Sequence, residues 1–341
     1  MRRISPQDPV FIIAEAGVNH NGDFATAKKL VDAARKAGAD AVKFQTFKAE
    51  DLVTAKAKKA RYQEESTGAE ETQLQMLKKL ELSYDDFKRL KEYCDETGVT
   101  FLSTPHTTGA ADFLEDLVPL YKVGSGDLTN LPFLEKLARK GKPLIVSTGM
   151  GDMGEVKEAL RVIKKAGNND VVMLHCTTNY PCPLNEVNLN AMLTMMDGLD
   201  CLIGYSDHTM GYLVPIMASS LGAVVIEKHF TLDRNMKGPD HKASLTPKEF
   251  EEMVRMIRDC KVAMGGSDKK PTISEREISS VARKSLVAKV DIRKGITITR
   301  DMITVKRPGT GIPSKDLDKV MGKICIRDIK KDELIEWGRL R

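Results

Sequence analysis

The sequence lacks the features that mark secreted, membrane-bound or disulfide-rich proteins. No apolar stretch approaches the length of a membrane span, and residues 1–9 contain no apolar run, so we expect no secretory signal. Its six cysteines include no CxxC pair. Reduced thiols in a cytoplasmic enzyme are the simplest explanation, so we expect a cytoplasmic protein with no membrane partner.

A concentrated basic surface is also missing. The net charge is only +5 over 341 residues, and Lys and Arg are interspersed with Asp and Glu throughout. The densest basic stretch, residues 56–61, contains no aromatic residue and is followed only by Tyr62. We interpret it as a solvated face and expect no nucleic-acid partner.

The composition is that of an ordinary globular protein, with 41% hydrophobic and 30% charged residues. From residue 10 to about residue 265, short apolar runs alternate with amphipathic helical patterns. Eight such runs over about 250 residues predict a (β/α)8 TIM barrel, an α/β fold. A doubly wound sheet is the weaker alternative, because no GxGxxG follows the first run. The predicted strands are 10–16, 41–47, 100–104, 120–124, 143–148, 171–177, 201–206 and 224–230, and the predicted helices are 25–37, 84–97, 131–140, 154–166, 211–221 and 247–264.

The remaining segments define an insertion and a second domain. Residues 62–82 form a long insertion after the second strand, at the end of the barrel where active sites lie. We expect the barrel to occupy residues 1–265 and a linker to occupy residues 266–280. Residues 281–341 have short β-type runs at 285–290, 296–298 and 303–306, which predict a small β-rich domain.

Polar side chains cluster at the carboxyl ends of the predicted strands. A strand that only faces a core should end in apolar or turn residues, so this polarity predicts a shared cavity at the carboxyl-end face of the barrel. The alternative for single Ser and Thr residues is a strand-end cap. The polar residues at the strand ends are Glu15, Asn19, His20, Lys43, Gln45, Ser103, Thr104, His106, Lys122, Ser125, Asp127, Ser147, Thr148, His175, Thr177, Thr178, Tyr180, Ser206, Asp207, His208, Lys228 and His229.

Two histidines stand out in this set. His208 and His229 close two successive apolar runs, so their imidazoles should project into one barrel mouth and bind a divalent metal. The alternative is that each is a structural histidine with its hydrogen bonds satisfied. A metal held there would act as a Lewis acid on a carbonyl oxygen.

The other strand-end residues narrow the chemistry. Lys43 and Lys122, together with nearby serine hydroxyls, suit a small phosphorylated carboxylate. The carboxylates Glu15, Asp127 and Asp240 suit a polyhydroxylated substrate. A metal, an anion cage and acids that bind polyols together suggest carbon–carbon bond formation between phosphoenolpyruvate and a sugar aldehyde.

The chain resembles the bacterial sialic acid (N-acetylneuraminate) synthase family, which includes legionaminate and pseudaminate synthases. The resemblance lies in short strings that are collinear over nearly the whole chain. They are 14–22 (AEAGVNHNG), 42–47 (VKFQTF), 103–105 (STP), 122–126 (KVGSG), 147–150 (STGM), 174–177 (LHCT), 180–181 (YP), 206–209 (SDHT), 227–230 (EKHF), 238–240 (GPD) and 306–309 (KRPG).

The resemblance implies a TIM barrel followed by an antifreeze-like (SAF) domain, in a domain-swapped homodimer. It implies that His208 and His229 hold Mn²⁺, with Mg²⁺ or Co²⁺ as alternatives, and that Arg307 reaches the sugar from the partner subunit. The implied catalytic residues are Glu15, Lys43, Asp127, His208 and His229. The implied substrate-binding residues are Gln45, Thr104, Lys122, Ser125, Ser147, Thr178, Tyr180, Ser206, Asp240 and Arg307.

Three positions depart from the family pattern. Asp127 stands where Glu is expected, His106 stands where Phe is usual, and Thr178 stands where some members have Asn. Asp127 and His106 are hypothesised to touch the acceptor sugar. They therefore put the identity of that sugar in doubt rather than the reaction.

We expect an N-acetylneuraminate synthase that condenses phosphoenolpyruvate with N-acetylmannosamine and water to give a nine-carbon 2-keto acid and phosphate. One alternative is a legionaminate synthase that uses 2,4-diacetamido-2,4,6-trideoxymannose. Two further alternatives are a metal aldolase that uses free pyruvate and a non-catalytic sugar-binding protein. The presence of both histidines and both lysines argues against the last of these.

Overall fold

A computed structural model describes residues 1–68 and 70–341. Eight parallel strands form one sheet in the order β3-β2-β1-β8-β7-β6-β5-β4, and β4 lies beside β3 at the remaining seam. This nearly closed barrel confirms the predicted TIM-barrel fold. The strands are β1 (Phe11–Gly17), β2 (Ala41–Thr46), β3 (Thr100–Pro105), β4 (Tyr121–Val123), β5 (Leu144–Ser147), β6 (Val171–Cys176), β7 (Leu202–Asp207) and β8 (Val225–His229).

Several helices around the barrel begin at a residue whose side chain caps the helix. The Ser83 side chain accepts a hydrogen bond from the backbone N–H of Asp86 at the start of α5, and Gly98 ends that helix in the left-handed conformation. Five helices, α2, α3, α4, α6 and α9, were not predicted from the sequence. The helices are α1 (Phe24–Lys36), α2 (Ala49–Leu52), α3 (Arg61–Thr67), α4 (Gln73–Lys78), α5 (Tyr84–Thr97), α6 (Thr108–Phe113), α7 (Leu131–Arg139), α8 (Met153–Lys165), α9 (Leu189–Gly198), α10 (Leu213–Ser220) and α11 (Pro247–Met264).

The barrel interior changes character along its axis. Its lower part is filled by an apolar cluster that includes Phe11, Ile13, Leu102 and Ile145. Side chains alternate across a strand, so the next inward positions towards the carboxyl ends are two residues further on. Those positions carry Glu15, Lys43, Thr104, Lys122, Ser147, Ser206 and Glu227. The strand sequence therefore builds a polar layer on an apolar floor.

The carboxyl-terminal unit, residues 266–341, is compact in itself. Its core contains Leu286, Ile298, Ile312, Val320 and Ile335. Residues 266–280, predicted as a linker, overlap a capped helix, and residues 296–298 form no strand but a single bridge from Thr297 to Ile324. The elements of this unit are α12 (Ile273–Ala282), β9 (Ser285–Ala288), β10 (Ile303–Lys306) and α13 (Leu317–Val320), with β9 and β10 antiparallel.

In the described part of the chain, no helix has both the length and the apolar character needed to span a membrane.

Candidate active site

A cavity of about 240 Å³ opens at the carboxyl ends of the strands. It brings together all the predicted site residues of the barrel except Asp127. Those residues are Glu15, Lys43, Gln45, Thr104, Lys122, Ser125, Ser147, Thr178, Tyr180, Ser206, His208, His229 and Asp240. The cavity is also lined by Val18, Tyr62, Gln63, Met76, Leu77, Leu80, His106, Gly124, Gly126, Cys176, Glu227 and Pro239.

A bulge at the end of β1 sets the position of Glu15. The pairing with β2 shifts between Glu15 and Gly17, and Gly17 has a φ of +51°, where a glycine is favoured. Gln45 Nε2 donates to Glu15 Oε1 at 3.1 Å. A Cβ on Gly17 would lie 3.2 Å from that carboxylate oxygen, so glycine leaves the space in which Glu15 and Gln45 meet.

Two buried lysines form the floor of the cavity. Lys43 Nζ lies 2.6 Å from Glu15 Oε2 and donates to Thr104 Oγ1 at 3.0 Å. Lys122 Nζ donates to Ser147 Oγ at 2.8 Å. Each lysine is only 3% exposed, so the two ammonium groups can meet an anion with little competition from water. Such a pair suits a phosphate and a carboxylate on one small molecule.

Glu227 lies between the two lysines and was not among the predicted site residues. Its Oε1 lies 3.4 Å from Lys122 Nζ, and its Oε2 lies 3.8 Å from Lys43 Nζ. Burial opposes the ionisation of Glu227, but the two lysines outweigh it and lower the pKa of this carboxyl. For Glu15, burial prevails over Lys43 and raises the pKa to about 7. The signal for Glu227 was its spacing, two residues before His229 on the same strand face.

The two histidines lie next to each other. Their ring centroids are 5.5 Å apart, and His208 Nδ1 lies 2.7 Å from the carbonyl oxygen of Thr177. That contact makes Nδ1 the donor nitrogen and leaves Nε2 for a metal. His229 Nδ1 is buried and has no hydrogen-bond partner among the described residues.

These observations fit one divalent ion bound by both imidazoles, since a metal–nitrogen bond is about 2.1 Å long. The described residues include no group of three or more His, Cys, Asp or Glu side chains arranged to hold a metal. The protein would therefore supply two nitrogen ligands, and water or substrate would supply the rest. Asp240 is the nearest carboxylate, with Oδ2 3.8 Å from His229 Nδ1, and burial raises its pKa to about 6.

An aromatic side chain covers the histidines. The Tyr180 ring lies 4.0 Å from the His208 ring and 5.0 Å from the ring of Tyr62, measured between centroids. Tyr62 belongs to α3, and Met76 and Leu77 belong to α4. The structure thus places side chains of the insertion against the cavity, where the sequence predicted that the insertion would lie.

Gly149, which lies just after β5, packs closely against two hydroxyl groups because it has no side chain. Gly149 donates its N–H to Ser125 Oγ at 3.1 Å. A Cβ on Gly149 would lie 2.2 Å from Thr178 Oγ1 and 2.8 Å from Ser125 Oγ. Only glycine lets these two hydroxyls approach the strand end together.

Several polar strand-end residues do not reach the cavity, which corrects the interpretation that this polarity serves one site. Asp127 does not line it; instead its side chain accepts a hydrogen bond from Asn130 Nδ2 at 3.0 Å. Asp207 and Lys228 point to the opposite face of the strands, because they alternate with the inward residues. Arg307 is exposed and lies in the carboxyl-terminal unit. His106 does line the cavity, and burial lowers its pKa to about 4, with the charges of Lys43 and Lys122 adding to the effect.

Comparison with known proteins supports this description. A model of the NeuB family matches residues 30–269, and a model of the SAF domain matches residues 283–341. The chain is 49% identical over 327 residues to the N,N'-diacetyllegionaminic acid synthase of Campylobacter jejuni, covering 95% of this chain and 98% of that protein. It is 38% identical over 337 residues to the human N-acetylneuraminate-9-phosphate synthase, covering 98% of this chain and 93% of that protein.

A solved structure of a related protein also matches this chain. The N-acetylneuraminic acid (sialic acid) synthetase of Leptospira borgpetersenii matches with a TM-score of 0.71 and 33% identity, over 80% of this chain and 90% of that chain. The chain therefore belongs to the NeuB family and carries a SAF domain at residues 283–341. The family resemblance predicted from the motifs is confirmed.

Proposed function

We propose that this chain is an enzyme that condenses phosphoenolpyruvate with an N-acetylated mannose-type aldehyde to give a nine-carbon 2-keto acid and phosphate. The observation that carries the proposal is one cavity with two buried lysines on its floor and two adjacent histidines in its wall. Relatives of the chain are named N,N'-diacetyllegionaminic acid synthase and N-acetylneuraminate-9-phosphate synthase, which supports the proposal.

Phosphoenolpyruvate is the substrate proposed for the floor. Lys43 and Lys122 would meet its two anionic groups, and Thr104 and Ser147 would hold the lysines in place through the hydrogen bonds they accept. Fixed charges in a cavity with little water stabilise developing charge without first having to reorganise. The same contacts would orient C3 of phosphoenolpyruvate towards the acceptor.

The proposed reaction balances as follows. C3 of phosphoenolpyruvate forms a bond to the aldehyde carbon, and the aldehyde oxygen takes up a proton. Water adds to C2 and loses one proton, which leaves a hydroxyl group there. That hydroxyl then loses its proton and becomes the keto oxygen while the bond between C2 and the bridging oxygen breaks, and phosphate leaves with the bridging oxygen and takes up a proton. Glu15, with a pKa of about 7, can hold or release a proton at this place near neutral pH. A divalent metal held by His208 and His229 would supply Lewis-acid activation of the aldehyde oxygen.

For the acceptor, we propose a 2,4-diacetamido-2,4,6-trideoxymannose in preference to the N-acetylmannosamine that the sequence favoured. Val18, Met76, Leu77 and Leu80 form an apolar side of the cavity. The trideoxy sugar has a methyl group where N-acetylmannosamine has a hydroxymethyl group, and a methyl group is the better match to such a side. Relatives at 49% and 45% identity are named as N,N'-diacetyllegionaminic acid synthases, which supports the same choice.

An acceptor panel tests both parts of the proposal. Purified protein with Mn²⁺ is incubated with phosphoenolpyruvate and either sugar, and phosphate and the 2-keto acid product are measured. We expect kcat/KM to be higher for the trideoxy sugar by about 10- to 100-fold, the usual discrimination of an apolar pocket against an added hydroxyl group. A preference for N-acetylmannosamine would reverse the acceptor assignment. Product formed from pyruvate would indicate an aldolase, and binding without turnover would indicate a sugar-binding protein.

We propose further that the protein works as a domain-swapped homodimer in the cytoplasm, with Arg307 serving the partner's cavity. A guanidinium can hydrogen-bond sugar hydroxyls or an acetyl oxygen, and a cap on the cavity would exclude water. Arg307 is exposed and follows β10 directly, so it is available for such a contact.

Mixing two inactive variants tests the role of Arg307. His208→Ala and Arg307→Ala are co-expressed, and we expect about a quarter of wild-type activity, because half of randomly formed dimers would contain one cavity with both groups intact. Each variant expressed alone is the control. If the mixture is as inactive as each variant alone, Arg307 serves the barrel of its own chain. If Arg307→Ala alone is fully active, Arg307 has no role in the active site.

A further inference from the structure

The two strands that end in the histidines are joined by a buried ion pair on their other face. Asp207 and Lys228 immediately precede His208 and His229 and are paired with each other in the ladder between β7 and β8. Their side chains are both 0% exposed. Both residues were predicted from the sequence to lie in the cavity. Side chains alternate between the two faces of a strand, however, so these two point towards the helices around the barrel.

The contacts of this pair hold the chain on both sides of His208. Lys228 Nζ lies 2.5 Å from Asp207 Oδ2 and also donates to the carbonyl oxygen of Thr209. Asp207 Oδ2 accepts from Thr209 Oγ1 at 3.0 Å, and Asp207 Oδ1 accepts from the backbone N–H of Thr209 at 3.3 Å. One lysine next to His229 thus fixes both residues that flank His208.

The two imidazoles differ in how they are held. The His208 ring is anchored through its contact with the carbonyl oxygen of Thr177, whereas the described residues offer no hydrogen-bond partner to His229 Nδ1. The place of the His229 ring therefore depends on its contacts with the rings of Tyr180 and His208 and on the backbone of β8. The side chain of Lys228 links this part of β8 to β7 on the outer face, and the hydrogen bond from Ser206 Oγ to Glu227 Oε1 links them on the inner face.

Stability alone is a poor reason for such a pair. Replacing a buried ion pair by apolar side chains of similar volume is often neutral or stabilising. Ile226 and Tyr205, on the same face of the two strands, pack in the apolar core. Charge-assisted hydrogen bonds require narrower distances and directions than apolar contacts, so a pair of this kind restricts geometry more strongly.

We propose that Asp207 and Lys228 are positioning residues that set the separation and direction of the two histidines for metal binding. The proposal rests on the metal site proposed above. Without the pair, the strand ends would keep their fold, but the residues around His208 would move relative to His229. The measured consequence would be weaker metal binding, as for other groups that orient metal ligands from behind.

The test compares two charge-neutral double variants of the full-length protein. Asp207→Asn with Lys228→Met removes both charges and nearly preserves the volumes, so no unpaired charge is left buried. The control is Asp40→Asn with Arg258→Met, which removes a less buried ion pair of 2.8 Å elsewhere in the barrel, where Asp40 also pairs with Arg2. Metal is stripped with a chelator, the affinity for Mn²⁺ is measured by titration calorimetry, and thermal unfolding is recorded for each protein.

We expect the affinity for Mn²⁺ to fall about 10- to 100-fold in the first variant and to stay within about twofold of wild type in the control. Equal affinities in the first variant and wild type would overturn the proposal. Absence of Mn²⁺ binding by the wild type would instead overturn the metal site itself. If the first variant does not fold, Thr209→Val is the deciding variant. It removes the hydroxyl that donates a hydrogen bond to Asp207 and leaves both charges of the ion pair in place. Unchanged Mn²⁺ affinity in Thr209→Val would then overturn the proposal, and a several-fold loss would support it.

Discussion

His208→Ala and His229→Ala are each expected to lower turnover by at least about 100-fold, because removing even a group that orients a ligand costs 10- to 100-fold. Both side chains line the cavity above the apolar layer that fills the lower barrel. Each variant should therefore keep its circular dichroism spectrum and most of its thermal stability. The measurements are initial rates of phosphate release and metal content after dialysis against Mn²⁺.

The control for these variants is another buried imidazole. His241 is fully buried and bonds to Thr231 Oγ1 at 2.7 Å, but it does not line the cavity. His241→Asn should keep its bound metal even if its stability falls. Wild-type turnover after exhaustive chelation, or normal metal content in His208→Ala, would show that the histidines do not act as a metal site.

Lys122→Met is expected to lower kcat/KM for phosphoenolpyruvate by about 10²- to 10³-fold, the usual cost of losing one group that stabilises charge in the transition state. Lys122 is buried and lies between Ser147 and Glu227, so methionine fills its volume but leaves an anion without its partner. The carboxylate of Glu227 would then also repel the substrate.

Lys122→Met should change the kinetics of phosphoenolpyruvate, the donor substrate, more than those of the acceptor sugar. KM for the acceptor sugar at saturating phosphoenolpyruvate should change much less than KM for phosphoenolpyruvate. Lys140→Met serves as the control, since Lys140 pairs with Asp112 and Glu115 outside the cavity. An unchanged KM for phosphoenolpyruvate together with a raised KM for the sugar would show that Lys122 binds the acceptor and not the donor.

The barrel could be predicted from the sequence because its signals are local and repeated. Each strand is a short apolar run, and α5 and α11 agree with their predicted bounds because capping residues mark their starts. The helix α12 was not predicted; it has only ten residues, and its large apolar side chains, Ile273, Ile278 and Val281, are all exposed.

The site was predicted less completely, for a reason of geometry. The motifs identify which strand ends are polar, but not which side of the strand each residue faces. A shift of one residue exchanges the two faces, so Lys228 was assigned to the cavity and Glu227 was overlooked. The apolar side made by Met76 and Leu80 depends on how α4 packs, and a sequence pattern does not provide that information.

The most direct test of the proposed reaction uses phosphoenolpyruvate labelled with ¹⁸O in the oxygen that bridges C2 and phosphorus. The protein is incubated with Mn²⁺, the labelled donor and the trideoxy acceptor, and the released phosphate is analysed by mass spectrometry and ³¹P NMR. If water adds to C2 and the C2–O bond breaks, the phosphate carries the label and appears in equal amount with the nine-carbon product. Unlabelled phosphate, or phosphate released without that product, would contradict the proposed condensation.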